Sequence, residues 1–132
     1  MKNIKTLAII DDDEIYIFLT KKVVEQTHLV DQIKVFENGR DAINYLKENL
    51  ENPDLLPEII LLDLSLPVMD GWQFLNEYAL LKPKITKPIN INIVSSSISP
   101  EELNKVKSII EVSEFIIKPI TKEKFIEIVE KI

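Results

Sequence analysis

The stretch that most constrains this chain is Glu58 to Gly71, which reads EIILLDLSLPVMDG. Ile59 to Leu62 form an unbroken apolar run that leads straight into Asp63, with Pro67 and the Asp70-Gly71 pair close behind. An apolar run without alternation, bounded by breakers, fits a strand buried on both faces, as in a parallel sheet covered by helices. Asp63 then surfaces at the carboxyl end of that strand. In open α/β folds this is the edge of the sheet where ligands bind.

The remaining segments alternate strand and helix around it. Lys5 to Ile10 reads as a first buried strand that ends in Asp11, Asp12 and Asp13. A helix follows to about Thr27, with Asp13 as N-cap, Glu14 well placed against the helix dipole, and Ile15, Phe18, Leu19, Val23 and Gln26 at helical spacing. Gln32 to Phe36 is a second strand, and Asn38-Gly39 breaks it before a helix carrying Ala42, Ile43, Leu46 and Leu50 on one side. Asn52 to Pro57 is a loop. Trp72, Leu75 and Ala79 mark a third helix, which Pro83 should stop. Ile89 to Val94 makes a fourth strand that runs into Ser95, Ser96 and Ser97.

Ser99-Pro100-Glu101-Glu102 has the composition of a capped helix start, with Leu103, Val106 and Ile110 expected to face inward. Glu114 to Ile117 is a fifth strand ending in Lys118-Pro119, and Thr121 caps a last helix with Phe125, Ile128, Val129 and Ile132 on one face. Five strands alternating with five helices imply an α/β fold, a doubly wound parallel sheet with helices on both faces.

Composition narrows the chemistry. A chain of 132 residues fits one domain that buries roughly two-thirds of its unfolded surface. With no cysteine and a single histidine, His28, disulfides, thiolate catalysis and an ordinary zinc site are excluded. The only glycines are Gly39 and Gly71, too few for a Walker loop or a dinucleotide fingerprint. A net charge of -6 opposes direct binding to nucleic acid or to anionic lipid. The short apolar stretch after MKNIK is no signal-peptide core or membrane span, so the expectation is a soluble cytoplasmic protein with no membrane contact.

The functional signal lies in what ends the strands. The first finishes on Asp11-Asp12, the third on Asp63, the fourth on Ser95 and the fifth on Lys118. A parallel sheet brings these ends to one cleft. Two carboxylates about 4 Å apart repel by roughly 4 kcal/mol at an effective dielectric of about 20, so a cation is expected among the acids. Magnesium suits the set, because it binds through one or two carboxylates and keeps a position for a phosphate oxygen. Beside such an ion, Asp63 is placed for nucleophilic attack on phosphorus to give an aspartyl phosphate. Lys118 would stabilise the transferring oxygens, and the Ser95 hydroxyl could donate to the product phosphate.

At this point the chain resembles a response-regulator receiver domain of bacterial two-component signalling, over essentially all of its length. AIIDDD carries the family's acidic pair as Asp11 and Asp12, and ILLDLSLPVMDG carries its phospho-acceptor as Asp63. INIVSSS supplies the switch hydroxyl as Ser95; FIIKPI supplies the lysine as Lys118 and the switch aromatic as Phe115. The resemblance implies the flavodoxin-like strand order 2-1-3-4-5 and a cis Lys118-Pro119 bond. It also implies magnesium held by Asp12, Asp63 and the Ser65 carbonyl, with Asp11 acting through water.

Further expectations follow from the family. A sensor histidine kinase or phosphotransfer protein would donate the phosphoryl group, and a downstream protein would read the output face of the fourth helix, fifth strand and fifth helix. Pairing into a homodimer on activation also belongs to the family pattern. No effector segment follows Ile132, so the expectation is a single receiver domain over 1-132 that is a phospho-acceptor rather than an enzyme. The sequence departs from the usual pattern at Ser95, more often threonine, at Phe115, often tyrosine, and in Glu111-Val112-Ser113, which lacks a glycine.

Two other functions use the same residues. One is an aspartate-nucleophile phosphatase, although the second acid such enzymes place two residues after the nucleophile is Ser65 here. The other is a pseudo-receiver that binds partners without accepting phosphate. Read singly, Asp13 is a helix cap, Phe115 is core, and His28, Trp72 and the charges of Lys82 to Lys87 are structure or surface.

Overall fold

All four residues of the shortest strand, Ile59–Leu62, are buried, and the other elements are laid out around it. The computed structural model describes residues 3-132. The strands are β1 (Ile4–Ile10), β2 (Val30–Phe36), β3 (Ile59–Leu62), β4 (Asn90–Ser95) and β5 (Val112–Ile117). They alternate with helices α1 (Glu14–Thr27), α2 (Gly39–Glu48), α3 (Gly71–Leu81), α4 (Pro100–Lys107) and α5 (Lys122–Glu130). The sheet is parallel throughout, in the order β2-β1-β3-β4-β5. The expected doubly wound α/β architecture and strand order are therefore present. Among the described residues, no helix is long and apolar enough to cross a membrane.

The helix starts follow from local chemistry. Asp13 accepts from the backbone N–H of Ile15 and Tyr16, Asn38 from Asp41, and Thr121 from Lys124. Asp70 with Gln73 and Ser99 with Glu102 form reciprocal capping boxes, which satisfy donors that a helix leaves unpaired. Each face of the sheet carries its own core. Leu62 and Ile93 pack with Ile43, Leu46 and Phe74 under α2, α3 and α4, whereas Leu7 and Leu61 pack with Val24, Phe125 and Val129 under α1 and α5.

Helix faces depart from the reading by periodicity. Ile15, Phe18 and Leu19 are 71%, 58% and 41% exposed, and α1 instead turns Val24 and Ile17 toward the sheet. This helix carries apolar residues on more than one stripe, and helical spacing alone does not choose between stripes. In α3 the buried positions are Phe74, Leu75, Tyr78 and Leu81, while Ala79 is exposed and Trp72 half-buried. Ile110 and Ile132 also point outward, because α4 ends at Lys107 and α5 at Glu130, before either residue is reached. Of the lysines read as structure or surface, Lys87 is structural: its ammonium donates to the carbonyls of Pro53 and Leu56 and pairs with Glu58.

Both glycines serve the loop that follows β3. A Cβ on Gly71 would lie 2.6 Å from the Leu64 Cα and 2.7 Å from the Asp63 carbonyl oxygen. One on Gly39 would lie 2.4 Å from the Met69 carbonyl oxygen, the atom to which the Gly39 N–H donates. Removing the side chain at these two positions lets α2 and α3 begin directly against the segment that carries Asp63.

Candidate functional site

Three backbone hydrogen bonds extend the sheet one residue past its strands. Asp11 N–H donates to the Phe36 carbonyl at 3.0 Å, Asp63 N–H to the Ile10 carbonyl at 2.9 Å, and Lys118 N–H to the Ser95 carbonyl at 2.9 Å. Asp11, Asp63 and Lys118 are thus held in register with the sheet. Parallel pairing then brings them to the same edge.

The side chains meet there. Lys118 Nζ lies 2.8 Å from Asp11 Oδ2 and donates to Asp63 Oδ2 at 3.0 Å, with only 5% of the lysine side chain exposed. Asp63 Oδ1 accepts from the Ser65 N–H at 3.1 Å, and Asp11 Oδ1 from the Asp13 N–H at 2.9 Å. Asp12 is exposed, yet one oxygen of each of Asp11, Asp12 and Asp63 falls within 4.8 Å of the others. The Lys118-Pro119 bond is cis.

Burial and pairing pull against each other in this cluster. Burial raises the Asp11 carboxyl above its ordinary range, and the Asp63 charge adds to the effect; the hydrogen bonds from Lys118 and the Asp13 N–H oppose it without reversing it. Burial by itself would lower Lys118. The bonds to Asp11 and Asp63 outweigh it and hold the ammonium above the usual lysine value. The lysine is therefore a permanent cation at neutral pH. It balances one of three carboxylates and leaves room in the charge count for a divalent ion.

From Asp63 an open cleft of about 510 Å³ runs outward between Ser65, Ser95, Trp72 and Glu102. Ser95 is buried, and its hydroxyl donates to the Ser97 carbonyl at 3.0 Å, so it is engaged with its own loop. Phe115 is half-buried against the core layer of α4. Trp72 forms part of the cleft wall, with Lys105 Nζ 4.3 Å from its ring centroid.

One close neighbour was not anticipated from sequence. The Tyr16 ring centroid lies 4.4 Å from Lys118 Nζ. The available signal was an aromatic in the first helical turn after an acidic strand end, its backbone N–H held by the Asp13 cap.

A family model described as response regulator receiver domain matches residues 7–130. A two-component response regulator from Cytophaga hutchinsonii, solved by crystallography, superposes with a TM-score of 0.82 at 30% identity, covering 98% of this chain and 97% of that one. A probable methanogenesis regulatory protein, FilR2 of Methanothrix harundinacea, is 25% identical over 126 residues, covering 96% of this chain and 79% of the relative. Protein-glutamate methylesterase/protein-glutamine glutaminase of Treponema pallidum is 32% identical over 127 residues, and the chain spans 29% of its length. The oxygen donors of Asp11, Asp12 and Asp63 match the chemistry of the metal site in receiver domains.

Proposed function

This chain belongs to the response regulator receiver domain family, and from that premise we propose that it is a phosphorylation-dependent signalling switch with Asp63 as acceptor. The observation that carries this reading is the meeting of Asp63 with Lys118 and Asp11, within 3.0 Å and 2.8 Å of one ammonium. A sensor histidine kinase or phosphotransfer protein is the donor in this reading, and the compartment is the cytoplasm.

Asp63 needs no general base, because a carboxylate is already a nucleophile. One of its oxygens bonds to phosphorus as the bond to the donor breaks, and the leaving group departs with that electron pair. The Ser65 N–H and Lys118 fix the two oxygens and so set the direction of approach. Lys118 then follows the phosphoryl oxygens, and Ser95 exchanges the Ser97 carbonyl for one of them. When bound through Asp12, Asp63, the Ser65 carbonyl and, by way of water, Asp11, magnesium supplies positive charge to the transferring oxygens.

The movement of Ser95 gives phosphorylation a route to α4 and β5. Phe115 lies on that route as the switch aromatic, and a partner protein or a second copy of the chain reads the resulting surface of α4, β5 and α5.

The test is incubation with magnesium and acetyl phosphate, followed by intact mass spectrometry. A one-phosphate adduct that is absent in Asp63→Asn supports the acceptor reading. Turnover of phosphate esters would replace it with a phosphatase; no adduct under any donor would leave a phosphorylation-independent binding module.

A further inference from the structure

We propose that Tyr16 is a positioning residue that keeps the Lys118 ammonium in the acceptor cleft when its carboxylate partners are engaged elsewhere. This rests on the reading of Asp63 as phosphoryl acceptor.

The ammonium has three N–H donors, and three groups lie against it. Two are Asp11 and Asp63, at 2.8 Å and 3.0 Å; the third is the face of Tyr16, at 4.4 Å. With 5% of the lysine side chain exposed, water contributes little. An aromatic face attracts a desolvated cation through its quadrupole.

The backbone that carries the ring is placed by the same acids. Asp13 N–H donates to Asp11 Oδ1 at 2.9 Å, and the Asp13 carboxylate in turn accepts from the N–H of Tyr16 at 3.3 Å. The contacts therefore close a circuit from Asp11 through Asp13 and Tyr16 to Lys118 and back to Asp11. The Tyr16 backbone cannot shift without disturbing the start of α1, so the point from which the ring extends is fixed.

The circuit matters because the three neighbours differ in what else they bind. Asp11 and Asp63 belong to the acidic triad, so any divalent cation they accept weakens their hold on Lys118. The ring face, unlike a carboxylate, is no ligand for a hard divalent cation. It retains the ammonium beside Asp63 at the stage when Lys118 must meet incoming phosphoryl oxygens. Without the ring, the flexible lysine stem is free to swing toward solvent.

The experiment compares Tyr16→Phe with Tyr16→Leu and Tyr16→Met in the full chain, with melting curves confirming that each folds. Two quantities are measured, with and without magnesium. The first is the rate of adduct formation with acetyl phosphate. The second is the rate at which acetic anhydride labels Lys118, read by peptide mass spectrometry. Tyr16→Phe keeps the ring and should match the parent chain in both. At least one of the aliphatic variants folds on this expectation, and it should form adduct about tenfold more slowly, equivalent to about 1.4 kcal/mol of barrier. Its Lys118 should label faster than the parent's only when magnesium is present.

Aliphatic variants that match the parent in both measurements overturn the proposal. So does a Tyr16→Phe chain as impaired as they are, since the hydroxyl and not the ring would then be responsible. A parent chain that forms no adduct brings down the acceptor reading itself. That outcome is distinct from a parent that reacts and an aliphatic variant that reacts equally well.

Discussion

Lys118 Nζ lies closer to Asp11, at 2.8 Å, than to the proposed acceptor Asp63, at 3.0 Å. The cation is shared between two carboxylates from different strands, so it ties β5 to β1 and β3 at the sheet edge while holding a charge for later use. Removing it leaves two buried acids facing each other. Lys118→Met should cost about 3–5 kcal/mol of stability in metal-free buffer, the range for breaking a buried ion pair on one side. Urea titration checks this, and adding magnesium should restore part of the loss. Equal stability of variant and parent would show that the pairing contributes nothing to the folded state.

Asp11 sets a pH dependence. Its folded-state carboxyl lies above the ordinary value of 3.8, so in the folded chain it holds a proton at pH values where the unfolded chain has released one. Its contribution to stability therefore falls as pH rises from the ordinary carboxylate range through the raised value. Asp11→Asn removes this penalty. Without magnesium, the stability difference should move in the variant's favour as pH rises through that acidic window, as measured by denaturant midpoints at a series of pH values. A difference that shrinks with rising pH would contradict the assigned direction.

Lys118 acts at the other end of the scale. Its folded value lies above the ordinary 10.5, so its stabilising contribution is complete below that pH and is lost only as pH rises through the raised value. Comparison with Lys118→Met should show the stability difference constant at neutral pH and shrinking only above 10.5. A difference that fades nearer neutrality would mean that Asp11 and Asp63 do not hold the ammonium in solution.

Asp12 is the member of the triad with an exposed side chain, and its part is the proposed ion. At magnesium about 100 times its dissociation constant, the parent should gain about 2.7 kcal/mol of stability. Asp12→Asn should lose most of that gain. Its metal-free stability should stay level or rise slightly, since one repelling carboxylate is gone. Thermal melts with and without magnesium report both quantities.

Gly71 faces backbone on two sides, the Leu64 Cα and the Asp63 carbonyl. Gly71→Ala adds a carbon where neither neighbour can rotate away. The expected loss is about 1–3 kcal/mol, the range for overpacking a tight site. The loop carrying Asp63 must also shift, so adduct formation should slow in chains that remain folded. Chemical denaturation and the phosphorylation assay measure the two effects. An unchanged Gly71→Ala would mean that the α3 start and the Asp63 loop are not in contact in solution.

The acidic and basic ends of the strands were legible because they are local signals. An apolar run that stops at a charged residue marks both the strand and the atom at its tip, and a parallel sheet collects those tips on one edge. This is why Asp11, Asp63, Ser95 and Lys118 can be named together from the sequence. The helix faces were less legible. Ile15, Phe18 and Leu19 have the spacing of a buried stripe, yet Ile17 and Val24 are the ones that pack against the sheet and α5. Periodicity reports that a stripe exists but says nothing about which neighbour it meets.

The amino-acid sequence by itself determined the alternation of strands and helices, the capped helix starts, and the chemical identity of each strand end, because these depend on residues a few positions apart. Only the tertiary structure decided that Lys118 is shared between Asp11 and Asp63, that Tyr16 covers it, and that the two glycines both make room for the loop after β3. Lys118 and Asp63 are 55 positions apart. The distance between such groups is set by how the sheet twists and how each helix packs on it, quantities no local stretch encodes.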